Sequence, residues 1–561
     1  MKRYVTAVIT LGLTATLISC SSDDTSEPTG TSSDATTVET DDAAPDTTVG
    51  AAPNTTAGTD DTASSTPAEP ATAYDRDAEL QIVAVIPPRN LDPHQETVTW
   101  DHTFYSPVYE RLIAVGTETD TFGLRPMLAT EWSFSPDGLS LELELRQGIT
   151  FHDGTPFDAD AVKANLEYAK STKSSTKVQD SLAAVDSVEV VDADTVRLNL
   201  NRPSVGITAA LSSGAGAMVS PQALATGVDL SGTTPDAGTG PYNVLEFTPD
   251  VGVTYERIDD NYWDPNQANI KKIVLTFAGE GQTRAAALQA GQADLIQIVT
   301  ADLETLESGL VDAGFVSHGI DTALGQAMWL RADGPFADKR VRQAIAYALD
   351  RESLVDGLFA GNCKAKGAIY QPGSDVYDEA NADLYTYDPD KAQALLEEAG
   401  VDGSLEFSVA AGSGATYERI ATVQQQSLKD MGVTSSIELV PTSQSQVVFR
   451  DGTVNAMWTG VTQSLSPVST MSGIAANTIG DATIEGKLND LIARADAELD
   501  DDARWELLRE AEHLVLDEVW VIPLCESRQA WFSTPNIVNV DNMPLVKTGI
   551  PDLMGLGVVA D

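Results

Sequence analysis

A strand–helix–strand succession in the middle of the chain limits the fold more than any other feature. Residues 270–277 read as a strand in which Ile273, Val274 and Leu275 are contiguous and apolar, the mark of a sheet buried on both faces. Residues 283–290 form a short Ala-rich helix, Gly291-Gln292-Ala293-Asp294 ends it, and Leu295-Ile296-Gln297-Ile298 is the next strand. That order implies parallel strands joined by a covering helix, an α/β layer. At 561 residues the chain exceeds what one core can hold, so two or three such domains are expected.

Further elements are legible on both sides of this unit. Leu80-Gln81-Ile82-Val83-Ala84-Val85 is a strand followed by the turns Pro87-Pro88 and Leu91-Asp92-Pro93. Residues 141–145 alternate cleanly, and residues 185–200 read as a hairpin turning at Asp192-Ala193-Asp194. Trp100, Phe104, Tyr105, Val108 and Leu112 recur at helical spacing. Residues 335–358 carry Val341, Ala344, Ile345, Ala348, Leu349 and Val355 three and four apart, which predicts one long helix on a core, bounded by Pro335 and Gly357. Asp388 caps a helix with Pro389 at its first position and Gly400 past its end. Residues 454–458 and 519–524 read as buried strands.

The first twenty residues are of another kind. A basic Met1-Lys2-Arg3 head precedes a largely apolar run over 5–18, too short for a comfortable membrane span, that ends in Leu17-Ile18-Ser19-Cys20. Residues 21–70 hold 20 Ser or Thr, 5 Pro and 11 Asp or Glu, with no basic or aromatic residue. Such a segment has nothing to bury and is expected to be a disordered acidic spacer.

Three runs together resemble the extracellular solute-binding proteins of peptide-type ABC importers, the family 5 peptide/nickel type. They are Ala129-x-x-Trp132, Pro136-Asp137-Gly138, then Leu145-Arg146-x-Gly148-Ile149-x-Phe151-His152-Asp153-Gly154-Thr155-Pro156-Phe157 and a helix; Gly238-Thr239-Gly240-Pro241-Tyr242; and Met328-Trp329-Leu330 followed by Pro335-Phe336-x-Asp338-x-Arg340-Val341-Arg342. The resemblance runs from about residue 80 to the C-terminus. It implies an α/β, two-lobed periplasmic-binding-protein-like fold of the large three-subdomain class II type, hinged on two crossover segments near 327 and 522. The expected division is a signal peptide over 1–20 with Cys20 as lipidation site, a linker over 21–75, lobe 1 over 76–326 plus 522–561 with an inserted subdomain at about 113–235, and lobe 2 over 327–521. The protein is then expected to be a monomer anchored outside the bacterial cell membrane by its lipid alone. It would capture an oligopeptide or peptide-like solute between the lobes and pass it to a permease. An oligosaccharide or other organic solute, or a sensing or adhesion role, are the alternatives.

Chemistry and charge narrow the function. A net charge of -50 would repel nucleic-acid phosphates over most of the surface. The five histidines are scattered, and neither a G-x-S-x-G elbow nor an H-E-x-x-H pair occurs, so no enzyme and no cofactor is expected. His152 lies in a turn without a histidine partner and reads as structural. Gly238–Tyr242 is no phosphate loop, because it lacks the G-K-[ST] ending and a strand follows it. No soft or imidazole cluster suits nickel or another metal. Cys363 and Cys525 can pair outside the cell, and free buried thiols fit a domain this large nearly as well. The candidate ligand contacts are Trp100, Tyr105, Trp329, Arg331, Trp458 and Gln463. In the peptide binders resembled, a carboxylate follows the late-strand tryptophan and takes the peptide ammonium, whereas this chain has Val461 there. Arg331 carries five donors suited to a carboxylate, and pairing with a surface acid fits it as well.

Overall fold

The computed structural model describes residues 74–559, apart from 117–122, 233–236, 259–261, 402–404, 413–414, 430, 442–443, 465 and 545–549. Cys20 and the acidic segment to residue 73 lie outside them. An 11-stranded mixed sheet runs through both lobes. Its order is Val433–Val440, Leu405–Gly412, Ala456–Thr462, Val316–Leu330, Val521–Ser533, Leu295–Ile298, Glu79–Ala84, Lys272–Phe277, Gly252–Arg257, Tyr242–Thr248, and Cys363–Ala365 pairs with Val521–Ser533 off this path. The strand–helix–strand unit of the sequence closes around the first strand. Glu79–Ala84 lies parallel to both Lys272–Phe277 and Leu295–Ile298, with helix Gly281–Gln289 as the crossover. The second lobe repeats the device, Leu405–Gly412 being parallel to both Val433–Val440 and Ala456–Thr462.

A separate four-stranded antiparallel sheet, ordered Ala129–Phe134, Ser140–Leu145, Thr195–Leu200, Val185–Val190, lies within the segment expected to form the inserted subdomain. Leu141, Leu143, Leu145, Val196 and Leu198 face a core shared with helix Ala159–Ala169, whose first turn Asp158 caps by accepting from the Ala161 N–H at 3.0 Å. The Gly238–Tyr242 run has a steric cause. A Cβ on Gly238 would stand 1.9 Å from the Val108 carbonyl oxygen, and one on Gly240 2.5 Å from that of Pro107, so only glycine lets these segments touch. His152 Nε2 donates to the Gly240 carbonyl at 2.8 Å and helps fasten the same junction.

Three local expectations are corrected. The helix over 335–358 is two helices, Lys339–Tyr347 and Arg351–Phe359, because Asp350 turns out of helical geometry and accepts from the Ser353 N–H at 3.0 Å. Gly357 lies inside the second of these, which ends instead at Ala360 and Gly361, both at positive φ. Trp100 to Leu112 is not one helix but a turn at Thr99–Asp101 and a helical segment at His102–Tyr105, after which Pro107 has no N–H to continue it. In Lys272–Phe277, Ile273 and Leu275 are buried while Val274 is only half-buried, so the strand covers one face fully.

Candidate functional site: the hinge between the lobes

Two long antiparallel strands, Val316–Leu330 and Val521–Ser533, carry the chain between the lobes. In the first lobe the second of them pairs with Leu295–Ile298; in the second lobe it pairs with Cys363–Ala365, and the first pairs with Ala456–Thr462. Their mutual ladder runs in register from Val316↔Ser533 to Asp321↔Arg528, then breaks twice, between Asp321 and Gly325 and between Gln326 and Ala327. Pro523 stands opposite Ala327 and brings no N–H to the ladder. Irregularities of this kind bend and twist a strand pair, and here they sit where the lobes part.

The bent stretch is polar and enclosed. Gln326 Nε2 donates to Ser527 Oγ at 2.9 Å, Thr322 Oγ1 to the Ser527 carbonyl at 2.8 Å, and Gln297 Nε2 to Gln529 Oε1 at 2.7 Å. Gln463 is buried here, its backbone N–H donating to the Ala323 carbonyl at 3.0 Å. A disulfide joins Cys363 to Cys525 beside this stretch and closes a sequence separation of 162.

Polar junctions tie the lobes on either side of the bend. Arg528 donates to both Glu307 oxygens, at 2.7 and 2.8 Å, and to Asn362 Oδ1 at 2.9 Å, linking helix Thr300–Asp312 to the segment that enters Cys363–Ala365. The Arg528 hydrogen bonds hold the Glu307 carboxyl below its usual range. Away from the crossing strands, Asp496 of helix Ala482–Ala497 meets the segment after strand Thr195–Leu200. Its carboxylate accepts from Arg202 Nη1 at 2.6 Å, Ser204 Oγ at 2.8 Å and the Gly206 N–H at 3.0 Å, while its carbonyl accepts from the Val205 N–H at 2.7 Å.

Two adjoining cavities open beside the crossing strands. One, of about 510 Å³, reaches from Gly319–Asp321 and Glu526 to Asp541 after the return strand and to Gln371 and Pro372 in the second lobe. The other, of about 470 Å³, is lined by Tyr370, Tyr377, Tyr385, Arg351, Lys366 and Glu526 among others. Lys364, Pro372 and Glu526 belong to both.

The sequence candidates scatter around this frame. Trp100 is half-buried in the turn Thr99–Asp101. Tyr105 is 1% exposed, and its hydroxyl donates to Glu96 Oε2 at 2.6 Å inside the first lobe. Arg331 is occupied by Asp333, Nη2 to Oδ2 at 2.6 Å, and by the Phe449 carbonyl at 2.7 Å. Trp329 and Trp458 occupy adjacent register positions, Trp329↔Met457 and Met328↔Trp458, and therefore project to opposite faces of the sheet. They share no wall. Trp458 is fully buried in one core of the second lobe, its indole donating to Gln424 Oε1 at 2.9 Å, and Trp329 packs in the other. A side chain with no accessible surface offers none to a solute, so Trp458 as it stands is core. Of the six, only Gln463 lies at the bend. Glu526 and Lys366 were not singled out from the sequence, because an Asp or Glu carries little information in a chain with 84 of them. Among the described residues no helix is long and apolar enough to cross a membrane, and no three His, Cys, Asp or Glu side chains group as metal ligands.

Known proteins share this architecture. Residues 123–480 match the bacterial extracellular solute-binding proteins, family 5 middle. The glutathione-binding protein GsiB of Salmonella paratyphi A is 28% identical over 479 residues, covering 81% of this chain and 90% of that protein. Among solved structures, the binding protein AgaA from A. tumefaciens R10 in complex with agropinic acid superposes with a TM-score of 0.72 at 22% identity, over 86% of this chain and 99% of that one. The ABC transporter-associated DppA of Helicobacter pylori in complex with peptide STSA gives 0.72 at 20% identity, over 86% and 98%. The chain therefore belongs to the family 5 bacterial extracellular solute-binding proteins, the non-catalytic, extracytoplasmic components of ABC importers that capture a small solute and deliver it to a membrane permease.

Proposed function

We propose that this protein is a lipid-anchored receptor that closes its two lobes on an oligopeptide or peptide-like solute. The observation that carries the closing motion is the pair of crossing strands whose ladder breaks over Asp321–Ala327, with the Arg202–Asp496 junction off those strands, which opening would separate. A clamp needs a compliant axis and a reversible catch, and it needs no catalyst. The solute class is supported by the relatives, one named for glutathione and one solved with a peptide. A non-peptide organic solute is favoured by one observation, the structural neighbour that holds agropinic acid. Gln463 at the bend and half-buried Trp100 are the retained contact residues. Cys20 carries the lipid, and the acidic segment after it holds the body away from the membrane surface.

Native mass spectrometry of the full-length chain, before and after mild unfolding, tests the solute. A series of peptide masses released on unfolding supports the peptide reading. A single non-peptide mass moves the class to the alternative. Incorporation of a labelled fatty acid that disappears in Cys20→Ala checks the anchor.

A further inference from the structure

Glu526 is a feature of the hinge that direct internal contacts do not explain. It is 9% exposed, it lines both cavities, and among the described residues its carboxylate takes part in no hydrogen bond and no ion pair within 4.0 Å. Lys366 and Lys364 attract this carboxylate only from beyond contact distance, so it can take a direct partner from outside. The charged groups around it are otherwise engaged. Lys364 pairs with Asp321, and Glu512 accepts from the Ile369 and Tyr370 N–H groups at 2.6 and 3.0 Å. Lys366 pairs with no carboxylate at contact distance. It lines the 470 Å³ cavity with Glu526, and among the described residues its ammonium has a single acceptor, the Ile369 carbonyl at 2.9 Å, for three donors.

Strand register explains how the two charges come to share one space. Gly325 stands opposite Glu526 on one side and opposite Val461 on the other, and Lys364 stands opposite Glu526 on its far side, so the four form one row across four strands. Gly325 has no side chain, and the Lys366 ammonium lies over it: a Cβ there would stand 3.2 Å from Lys366 Cε and 3.4 Å from Nζ. The row thus carries Lys364, its ammonium turned to Asp321, at one end, the Glu526 carboxylate next to it, the Lys366 ammonium over Gly325, and an apolar Val461 at the other end. Burial pushes the Glu526 carboxyl up and the Lys366 ammonium down, and outweighs the attraction between the two charges.

We infer that Glu526 and Lys366 form a two-point receptor for a zwitterionic solute, Glu526 accepting from its ammonium group and Lys366 donating to its carboxylate. This rests on the receptor reading above and narrows the solute to molecules that carry both charges. A cavity of about 470 Å³ has the size of a small-molecule site.

The test is isothermal titration of the full-length chain and its Glu526→Gln, Glu526→Asp and Lys366→Met variants with a fixed set of probes. The zwitterions are alanine, arginine and tri-alanine; the controls are N-acetyl-tri-alanine, putrescine, succinate and maltotriose. Binding is expected among the zwitterions and weaker for the N-acetylated probe. Glu526→Gln should weaken the zwitterion by at least about 30-fold, the scale for removing one partner of a buried charge pair. Glu526→Asp keeps the charge and should retain most of the affinity, and Lys366→Met should weaken tri-alanine while sparing putrescine. The unliganded melting temperature of Glu526→Gln should not fall, because no internal bond is lost. A lower melting temperature in that variant, affinities within about threefold of the parent on the same scale, or binding confined to maltotriose or succinate would each overturn the inference. In the last case the receptor reading stands. Binding of no probe by the parent would count against both.

Discussion

The lobes are joined by two polar junctions of similar chemistry in different places. Arg528 sits on a crossing strand, at the axis, and bridges Glu307 and Asn362 across the bend. Asp496 sits on a helix away from the crossing strands, and its carboxylate gathers donors from Arg202, Ser204 and Gly206. A contact on the axis hardly changes length when lobes rotate, whereas one off the axis must part. The first is therefore a fastening and the second a catch. Charge-assisted hydrogen bonds suit both tasks, because each is strong in a closed, dry junction and replaceable by water in an open one.

Three experiments bear on that difference, taken from the largest effect to the smallest. Cys525→Ser removes the disulfide that holds residues 362–365 against the second crossing strand. It should cost about 2–4 kcal/mol of stability, read as a lower melting temperature. If the axis is a fastening only, the radius of gyration in solution should not change. Asp496→Ala should show the opposite pattern. It leaves Ser204 Oγ and the Gly206 N–H without their acceptor in the closed form, which should cost about 2 kcal/mol of closure, or about 30-fold in solute affinity. X-ray scattering should then show a larger average radius at nearly unchanged melting temperature. Glu307→Gln should have the smallest effect, about 1 kcal/mol, since both partners of the Arg528 pair are about a quarter exposed, at 26% each.

The last variant also fixes a pH signature. The folded carboxyl of Glu307 titrates below its unfolded value, so its contribution is complete above about pH 4.5 and is lost as pH falls through the folded value. Acid titration of melting temperature should lose one component in Glu307→Gln, and in that variant only. An unchanged acid profile would show that Arg528 holds Asn362 and not Glu307 in solution.

Much of the fold was legible because its elements carry local signals. The hairpin over 185–200 forms strands Val185–Val190 and Thr195–Leu200, and the Asp388 cap, Pro389 and Gly400 delimit helix Pro389–Glu398. Asp388 accepts from the Lys391 N–H at 2.9 Å, and Gly400 takes φ 77°. The crossing strands were legible only in part. Met328-Trp329-Leu330 and residues 519–524 suggest strands, yet the strands extend to Val316 and to Ser533. Gly319, Gly325, Gln326, Glu526, Ser527 and Arg528 interrupt any apolar alternation there, and each is accommodated by a partner or a space that only the folded sheet supplies.

The candidate site shows the same division. From sequence, Trp329 and Trp458 are equivalent aromatic anchors; one step of strand register sends them into two different cores. Glu526 is one acid among 84 until the register with Gly325 brings it beside Lys366 over a shared cavity. The sequence alone determined many of the helices, the alternating strands, the parallel α/β unit and the family, because caps, turn residues and periodicity act over a few residues. Only the tertiary structure decided which polar groups are paired and which charges line one cavity. Those outcomes depend on contacts between strands some 200 residues apart, whose relative register no local pattern encodes.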